Sequence, residues 1–388
     1  MTPAARLAAA AEILDRILAD EPAEKALTGW ARRSRFAGSG DRAAIRDLVF
    51  DALRCKRSFA ALGGAMTGRG LMLGLLRQEG RDPATLLTGE GHALPPLTED
   101  EAAAGRIPAS GAEACDIPDW LWPQFTQSLG DRSEAVAAVL QTRGPVMLRV
   151  NLRKTTVDKA QASLAAEGIT TLADDIASTA LRVTEGARQV ARSQAYLEGL
   201  IELQDGSSQA IVDELHLPEH GNILDFCAGG GGKSLAMAAR TEARLFAHDA
   251  EPARMKDLPA RAARAGVTVT QLDRSELSRA APFALLLCDA PCSGAGAWRR
   301  APEGKWALTP SRLAELTQIQ DTILAQAAPL VAPEGVLAYA TCSVLTTENE
   351  ARAEAFLATH PDWRMQSSRR WDPGPSGDGF YLAQFRRR

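Results

Sequence analysis

Over the first 60 residues, apolar side chains recur at helical spacing. Leu7, Ile13, Leu14, Ile17 and Leu18 form one stripe, and Ile45, Leu48, Val49, Ala52 and Leu53 form another behind a candidate N-cap at Asp41. This pattern predicts a small all-helical module over residues 1–75. The chain then turns rich in Gly, Pro and acids, as in "RQEGRDPATLLTGEGHALPPLTEDEAAAGRIP", which predicts a linker with short helices over 76–142. After "IPDWLWPQF" the period changes. A strand at "PVMLRVN", a helix over Lys159–Gly168 and a strand near "ALRVTE" predict a small α+β subdomain over 143–203. Within 204–388, the apolar runs "NILDF", "RLFAHD", "VTVTQLD", "FALLLCD" and "GVLAYAT" alternate with helical segments near Ser234–Arg240, Glu251–Gly266 and Ser311–Val331. That alternation predicts an α/β fold, a doubly wound parallel sheet that takes its ligands at the carboxyl ends of its strands.

Composition sharpens this picture only a little. With 388 residues, 45% of them hydrophobic and 24% charged, the chain has material for several packed domains. No apolar run approaches the roughly 20 residues of a membrane span. The opening "MTPAARLAAAAEILDRILADEP" carries acids inside its apolar stretch, unlike a secretory signal, so a cytoplasmic protein with no membrane partner is expected. Six scattered cysteines without CxxC spacing predict reduced thiols and no metal site. The net charge of −4 argues mildly against a nucleic-acid partner. Basic clusters nevertheless stand at Arg32, Arg33 and Arg35, at Arg54, Lys56 and Arg57, at Arg299 and Arg300, and at Arg386 to Arg388. Any one of these, taken alone, reads first as a solvated face.

The candidate chemistry begins at "DFCAGGGGKSLAMAA", Asp225 to Ala239. A phosphate-binding loop of Walker A type needs glycine where Cys227 stands, and a dinucleotide GxGxxG fits Gly229, Gly231 and Ser234 only by giving up its last glycine. Three acids follow successive strands: Asp225, Asp249 and Asp273. Each alone reads as a helix N-cap or a turn. Together they suit ribose hydroxyls and an amino-acid ammonium better than a triphosphate, which ranks S-adenosylmethionine first and a nicotinamide dinucleotide second. Two further motifs set cysteines just beyond strands, Cys292 after Asp289-Ala290-Pro291 and Cys342 after Ala340-Thr341. Cys55, Cys115 and Cys288 read as small buried hydrophobes.

The segments "LRVNLRKTT", "LQDGSSQAIV", "DFCAGGGGKS", "CDAPCSGAGAWRRAPEGKW", "YATCSVLTTEN" and "GDGFYLAQF" occur in this order from about Val146 to the C-terminus. Through them the chain resembles the RsmB/Nop/Sun family of RNA cytosine-C5 methyltransferases. "GDRAAIRDLVFDALRCKRSF" resembles the NusB-like RNA-binding module of the bacterial RsmB branch. The resemblance implies a class I, Rossmann-like methyltransferase domain, S-adenosylmethionine as cofactor, and ribosomal RNA, 16S of the small subunit, as substrate and partner. It implies Cys342 as nucleophile toward cytosine C6, Cys292 as the thiol that assists product release, and Asp289 near both base and methyl donor. Cys227, Ala228, Gly229, Gly230, Gly231, Gly232 and Lys233 would wrap the methionine part of the cofactor, with Asp249 and Asp273 on its ribose and adenine. Arg149 and Asn151 would lie near RNA. Trp298, Arg299, Arg300 and Trp306, directly after the PC motif, are candidates for stacking on neighbouring bases, with core packing as the alternative for the tryptophans.

The chain departs from the family at Gly229 and Gly230, where CAAPGGK has Ala and Pro, and at Leu272, where a Gly usually precedes the acid. Its helical module is shorter than a complete NusB-like domain, and no further RNA-binding domain is expected after "FRRR". Two rival functions remain. A DNA cytosine-C5 methyltransferase would take its nucleophile from the PC motif, and a non-catalytic ribosome assembly factor would bind RNA without turnover.

Overall fold

The computed structural model describes residues 1–388. The chain divides into two compact units, one of Met1–Thr126, Gly130–Arg143 and Trp298–Ala307, the other of Gln127–Leu129, Gly144–Ala297 and Leu308–Arg388. No single helix is long and apolar enough to cross a membrane.

The first unit is helical, with helices at Pro3–Leu18, Ala23–Arg33, Ser39–Arg54, Lys56–Gly63 and Gly68–Gln78. Leu7, Ile13 and Leu14 share one core with Ile45, Val49 and Leu53, so the two apolar stripes of the sequence meet across helices. Asp41 lies inside its helix and does not begin it. The helix starts at Ser39, and the Asp41 carboxylate reaches back to accept the Gly38 N–H at 3.2 Å, half of a capping box. Residues read as a linker supply helices at Glu99–Ala104 and Ser133–Leu140.

The stretch Trp298–Ala307 closes the end of one of these helices. The last carbonyls of Ser39–Arg54 have no partner within the helix. Trp306 Nε1 donates to Leu53 O at 2.6 Å and Lys305 Nζ to Arg54 O at 2.9 Å, while Arg54 Nε donates to Arg299 O at 2.7 Å. Lys305 is buried, which pulls its pKa down to about 8.

The second unit holds two sheets. The smaller contains β1 (Met147–Val150), β2 (Thr171–Ala173), β3 (Ala180–Val183) and β4 (Ile201–Leu203), antiparallel in the order β2-β3-β1-β4, with the helix Val157–Ala166 packed through Ala160 and Leu164. The larger contains β5 (Asn222–Asp225), β6 (Arg244–Ala247), β7 (Val269–Gln271), β8 (Phe283–Asp289), β9 (Val331–Thr341), β10 (Trp363–Trp371) and β11 (Phe380–Arg387) in the order β10-β11-β9-β8-β5-β6-β7. Strands β5 to β9 pair in parallel, and the central β5, β8 and β9 carry the near-continuous apolar runs of strands covered on both faces. The sheet is mixed, not wholly parallel, because β11 and β10 close one edge as an antiparallel pair. From β5 the chain winds outward to β6 and β7, then crosses back to β8 on the other side. The boundary of β5 and β8 is thus the switch point at which open α/β sheets bind ligands.

Candidate active site

The glycine loop leaves β5 at the switch point and leads into the helix Gly232–Ala238. Gly229 and Gly231 adopt left-handed φ values of +51° and +79°, and a Cβ on Gly231 would stand 2.3 Å from Leu258 Cδ1. Glycine is therefore demanded at Gly231 by conformation and by space. Asp249, at the end of the neighbouring strand, accepts the Gly229 N–H at 2.9 Å and the Glu251 N–H at 2.9 Å and pairs with Arg254 at 3.2 Å. With 3% exposure it braces the loop from behind.

A cavity of about 630 Å³ opens over the loop, within the range of small-molecule sites. Its lining takes Gln204 and Ser208 from the LQDGSS segment, Cys227, Ala228, Gly229, Gly230, Gly232 and Lys233 from the loop, and Glu251 and Arg254 from beyond β6. Asp289, Ala290, Pro291, Cys292, Arg312, Leu316 and Cys342 complete it. Parallel neighbours β5, β8 and β9 end side by side, which brings Asp289 and both cysteines to one edge. Ala290 N–H donates to Ala340 O and Gly296 N–H to Cys342 O, each at 2.9 Å, so the two cysteine loops are laced backbone to backbone. The sulfurs of Cys292 and Cys342 lie 3.4 Å apart.

The hydrogen bond to Cys342 and desolvation push the Cys292 pKa well up, with the Glu348 charge acting in the same sense. Either sulfur can donate in that contact, and the upward shift favours Cys292 as the protonated partner. Lys233 Nζ is 2.8 Å from Asp289 Oδ2 and lies over the Phe380 ring. Burial opposes its charge, but the Asp289 carboxylate outweighs burial, and the Cys342 sulfur adds to the rise in its pKa. An ammonium therefore stands at the edge where Asp289 and the two cysteines meet.

Asp225 is buried below the loop, with Oδ2 accepting from Ser234 Oγ at 2.6 Å and Oδ1 without a partner. Burial pushes its pKa up to about 7, against the Ser234 hydrogen bond and with the Asp289 charge adding. The folded protein thus holds a proton that the unfolded chain releases, a contribution to stability present in full below the ordinary carboxylate range and lost as pH rises through 7. Asp225→Asn is expected to flatten the fall in unfolding free energy between about pH 4 and about pH 7, read from urea titrations across that window. A variant that follows the wild-type profile would place the proton elsewhere.

Several residues expected at the site are elsewhere. Asp273 is exposed, caps the turn Arg274–Glu276 and does not line the cavity. Arg149, 4% exposed, donates to Gln204 Oε1 and, at 2.7 Å, to Gly232 O. It is a strut between β1 and the glycine loop, and burial lowers its pKa to about 10. Asn151 is also buried, its Nδ2 donating to Gly199 O at 3.0 Å and Ala265 O at 2.8 Å. Neither side chain is open to RNA in this structure. Arg299 is 2% exposed and Trp298 is buried, and Trp306 is spent on the helix cap described above. Of that group Arg300 is exposed. Sequence reasoning passed over Glu251, Gln204 and Ser208. The signal for the last two lies in "LQDGSSQ", a segment that marks the family resemblance and by itself points to no role.

Residues 212–386 match the family model for 16S rRNA methyltransferase RsmB/F, and residues 117–190 match the ferredoxin-like domain of RsmF/B-like methyltransferases. The ribosomal RNA small subunit methyltransferase B of Cronobacter sakazakii is 31% identical over 369 residues, which cover 88% of this chain and 77% of that protein. The chain belongs to the RsmB/F family. A probable ribosomal RNA small subunit methyltransferase B of Synechocystis is 32% identical over 263 residues, 66% of this chain, and that match spans 59% of the relative's own length. The fold of this RsmB/F protein is also that of the solved structure of PH0851, with TM-score 0.78 and 22% identity over 100% of this chain and 99% of the other. A methyltransferase homologue from Pyrococcus horikoshii gives TM-score 0.62 and 23% identity over 71% of this chain and 96% of its own.

Proposed function

We propose that this RsmB/F protein methylates cytosine C5 in small-subunit ribosomal RNA, using S-adenosylmethionine and a transient bond from Cys342 to cytosine C6. The observation that carries the reading is the pair of sulfurs 3.4 Å apart at the rim of a glycine-floored cavity. The residues present fit the cofactor. Gly229, Gly230 and Gly232 leave backbone without side chains along one wall, and Glu251 and Asp289 set carboxylates beside the cations Lys233 and Arg254. That mixture suits a ribose diol and a zwitterionic amino acid. When bound, S-adenosylmethionine supplies an electrophilic methyl group.

Cytosine C5 is a poor nucleophile until a sulfur adds at C6, which gives the ring enamine character at C5. Cys342 makes that bond as a thiolate, the nucleophilic form of cysteine. Asp289 holds the base by a hydrogen bond while its other contact fixes Lys233. After methylation the C5 proton passes to solvent, its bonding pair restores the C5–C6 double bond, and the C6–S bond breaks to return Cys342 as a thiolate, whose departure the Cys292 thiol assists by a hydrogen bond. The target base has to be unstacked first, at about a few kcal/mol, which favours a single-stranded or loop substrate.

The test is incubation of the purified protein with methyl-labelled S-adenosylmethionine and unmodified small-subunit ribosomal RNA, followed by digestion to nucleosides. Label in 5-methylcytidine is the expected result. Label in any other nucleoside overturns the cytosine-C5 assignment. Bound RNA without label points to the assembly role.

A further inference from the structure

Glu348 lines no wall of the cavity and carries no role in the chemistry above, yet it is fully buried, at 0% exposure, directly beneath both cysteine loops. It ends the short turn Thr346–Glu348 that follows β9. Its Oε1 accepts the Ser293 N–H at 2.8 Å and Gln320 Nε2 at 3.1 Å. Its Oε2 accepts both the Ser293 and the Ser343 hydroxyls, each at 2.5 Å. Ser293 directly follows Cys292 and Ser343 directly follows Cys342. Gln320 also donates to Pro291 O at 2.9 Å, and Tyr339 OH donates to the Glu348 carbonyl at 2.6 Å. The side chain receives four donors and donates nothing, which is the bonding of an ionised carboxylate. Burying such a group is costly unless it is fully paired, and here it is paired by both loops at once.

We propose that Glu348 is the positioning residue of the reaction, a carboxylate that clamps Ser293 to Ser343 and so sets the spacing of the Cys292 and Cys342 sulfurs. The inference rests on the reading of Cys342 as nucleophile and Cys292 as the releasing thiol. The backbone bonds Ala290 to Ala340 and Gly296 to Cys342 bring the loops alongside each other. The Glu348 bridge fixes the residues next to the sulfurs. Behind the Cys342 hydrogen bond and desolvation, the same charge adds to what raises the Cys292 pKa.

Two variants separate bridging from charge. Glu348→Ala removes the clamp. Glu348→Gln keeps a bridge, because the amide oxygen still accepts on one side and its NH2 donates to the two hydroxyls on the other. Proximity is read without turnover, as the rate at which diamide joins Cys292 and Cys342 in a disulfide, mapped by peptide mass spectrometry. Glu348→Ala is expected to slow that coupling and to lower kcat by about 10²-fold, the cost of displacing reacting groups by about 1 Å, with cofactor affinity and KM for RNA little changed. Glu348→Gln should restore coupling. A Glu348→Ala protein that binds S-adenosylmethionine normally and couples its cysteines at the wild-type rate would overturn the proposal. Should Glu348→Ala not bind cofactor, the Ser293→Ala, Ser343→Ala double variant gives the same readout, and wild-type coupling there overturns it equally. Failure of the wild-type protein to methylate RNA would overturn the function and leave the coupling result intact.

Discussion

Cys342→Ala is expected to abolish methylation of RNA, whereas Cys292→Ala is expected to form a protein–RNA adduct that survives denaturing electrophoresis. Deleting a covalent nucleophile costs on the order of 10⁶-fold in turnover in a well-studied protease, so the first variant should fall below detection. The asymmetry rests on what surrounds each sulfur. Cys292 is held as a thiol by its hydrogen bond to Cys342 and by desolvation. Cys342 has the Lys233 ammonium for company, an ammonium whose own pKa is raised by Asp289 against burial. A thiol that stays protonated is a weak nucleophile and a usable proton donor. Removing it should leave addition to C6 possible and impair the return of the Cys342 sulfur. Methylation at the wild-type rate in Cys342→Ala, or an adduct that needs Cys292, would invert the roles and favour the order used by DNA cytosine methyltransferases. Cofactor binding by calorimetry in both variants excludes global misfolding as the cause.

The second large effect is expected at Gly296→Ala. An added Cβ would stand 2.2 Å from Gly379 O and 2.6 Å from Gly379 Cα, contacts that only a shift of backbone can relieve. The chain is held there from both sides. Gly296 N–H donates to Cys342 O at 2.9 Å, and Gly379 N–H donates to Gly296 O at 2.8 Å. Alanine must push the start of β11 away or pull the Cys292 loop from Cys342. Overpacking of this kind costs about 1–3 kcal/mol or more. The displaced loop should lose about 10²-fold in single-turnover rate as well, since small misplacements of reacting groups are expensive. Gly294→Ala is the control. Its φ is +69° but nothing lies within 4 Å of the added carbon, so only a backbone penalty of about 1–2 kcal/mol is expected. Equal melting temperatures and rates for the two variants would remove the packing explanation. The same contact accounts for the "GDGF" motif, whose second glycine lets β11 approach the Cys292 loop.

Much of the α/β half was legible because its strands are short, apolar and buried on both faces, so each announces itself locally. The run "FALLLCD" became β8 and "NILDF" became β5, and the helix read at Lys159–Gly168 is Val157–Ala166. The strands passed over carry weaker local signals. The three-residue β4 sits in "GLIELQ", and β10 reads "WRMQSSRRW", largely exposed at the edge of the sheet, where no continuous apolar run is required. The arginines were harder still. "LRVN" and "WRRAPEGKW" are basic and aromatic, which is as consistent with an RNA surface as with a buried strut, and composition cannot separate the two. Arg149 became a brace for the glycine loop, and Lys305 with Trp306 became the cap of a helix more than 240 residues away in the chain.

By itself the sequence determined the apolar periodicities, the glycine loop, the acids that follow the strands and the two cysteines that each follow one, since these are local patterns that survive without knowledge of neighbours. Only the tertiary structure decided that Asp249 braces the loop while Glu251 faces the cavity, that Asp273 stays outside it, and that Glu348 ties both cysteine loops together. These outcomes depend on strand order and on which buried polar groups find partners. A buried donor or acceptor has to be satisfied by whatever the fold brings within about 3 Å, and that pairing is written across the whole chain.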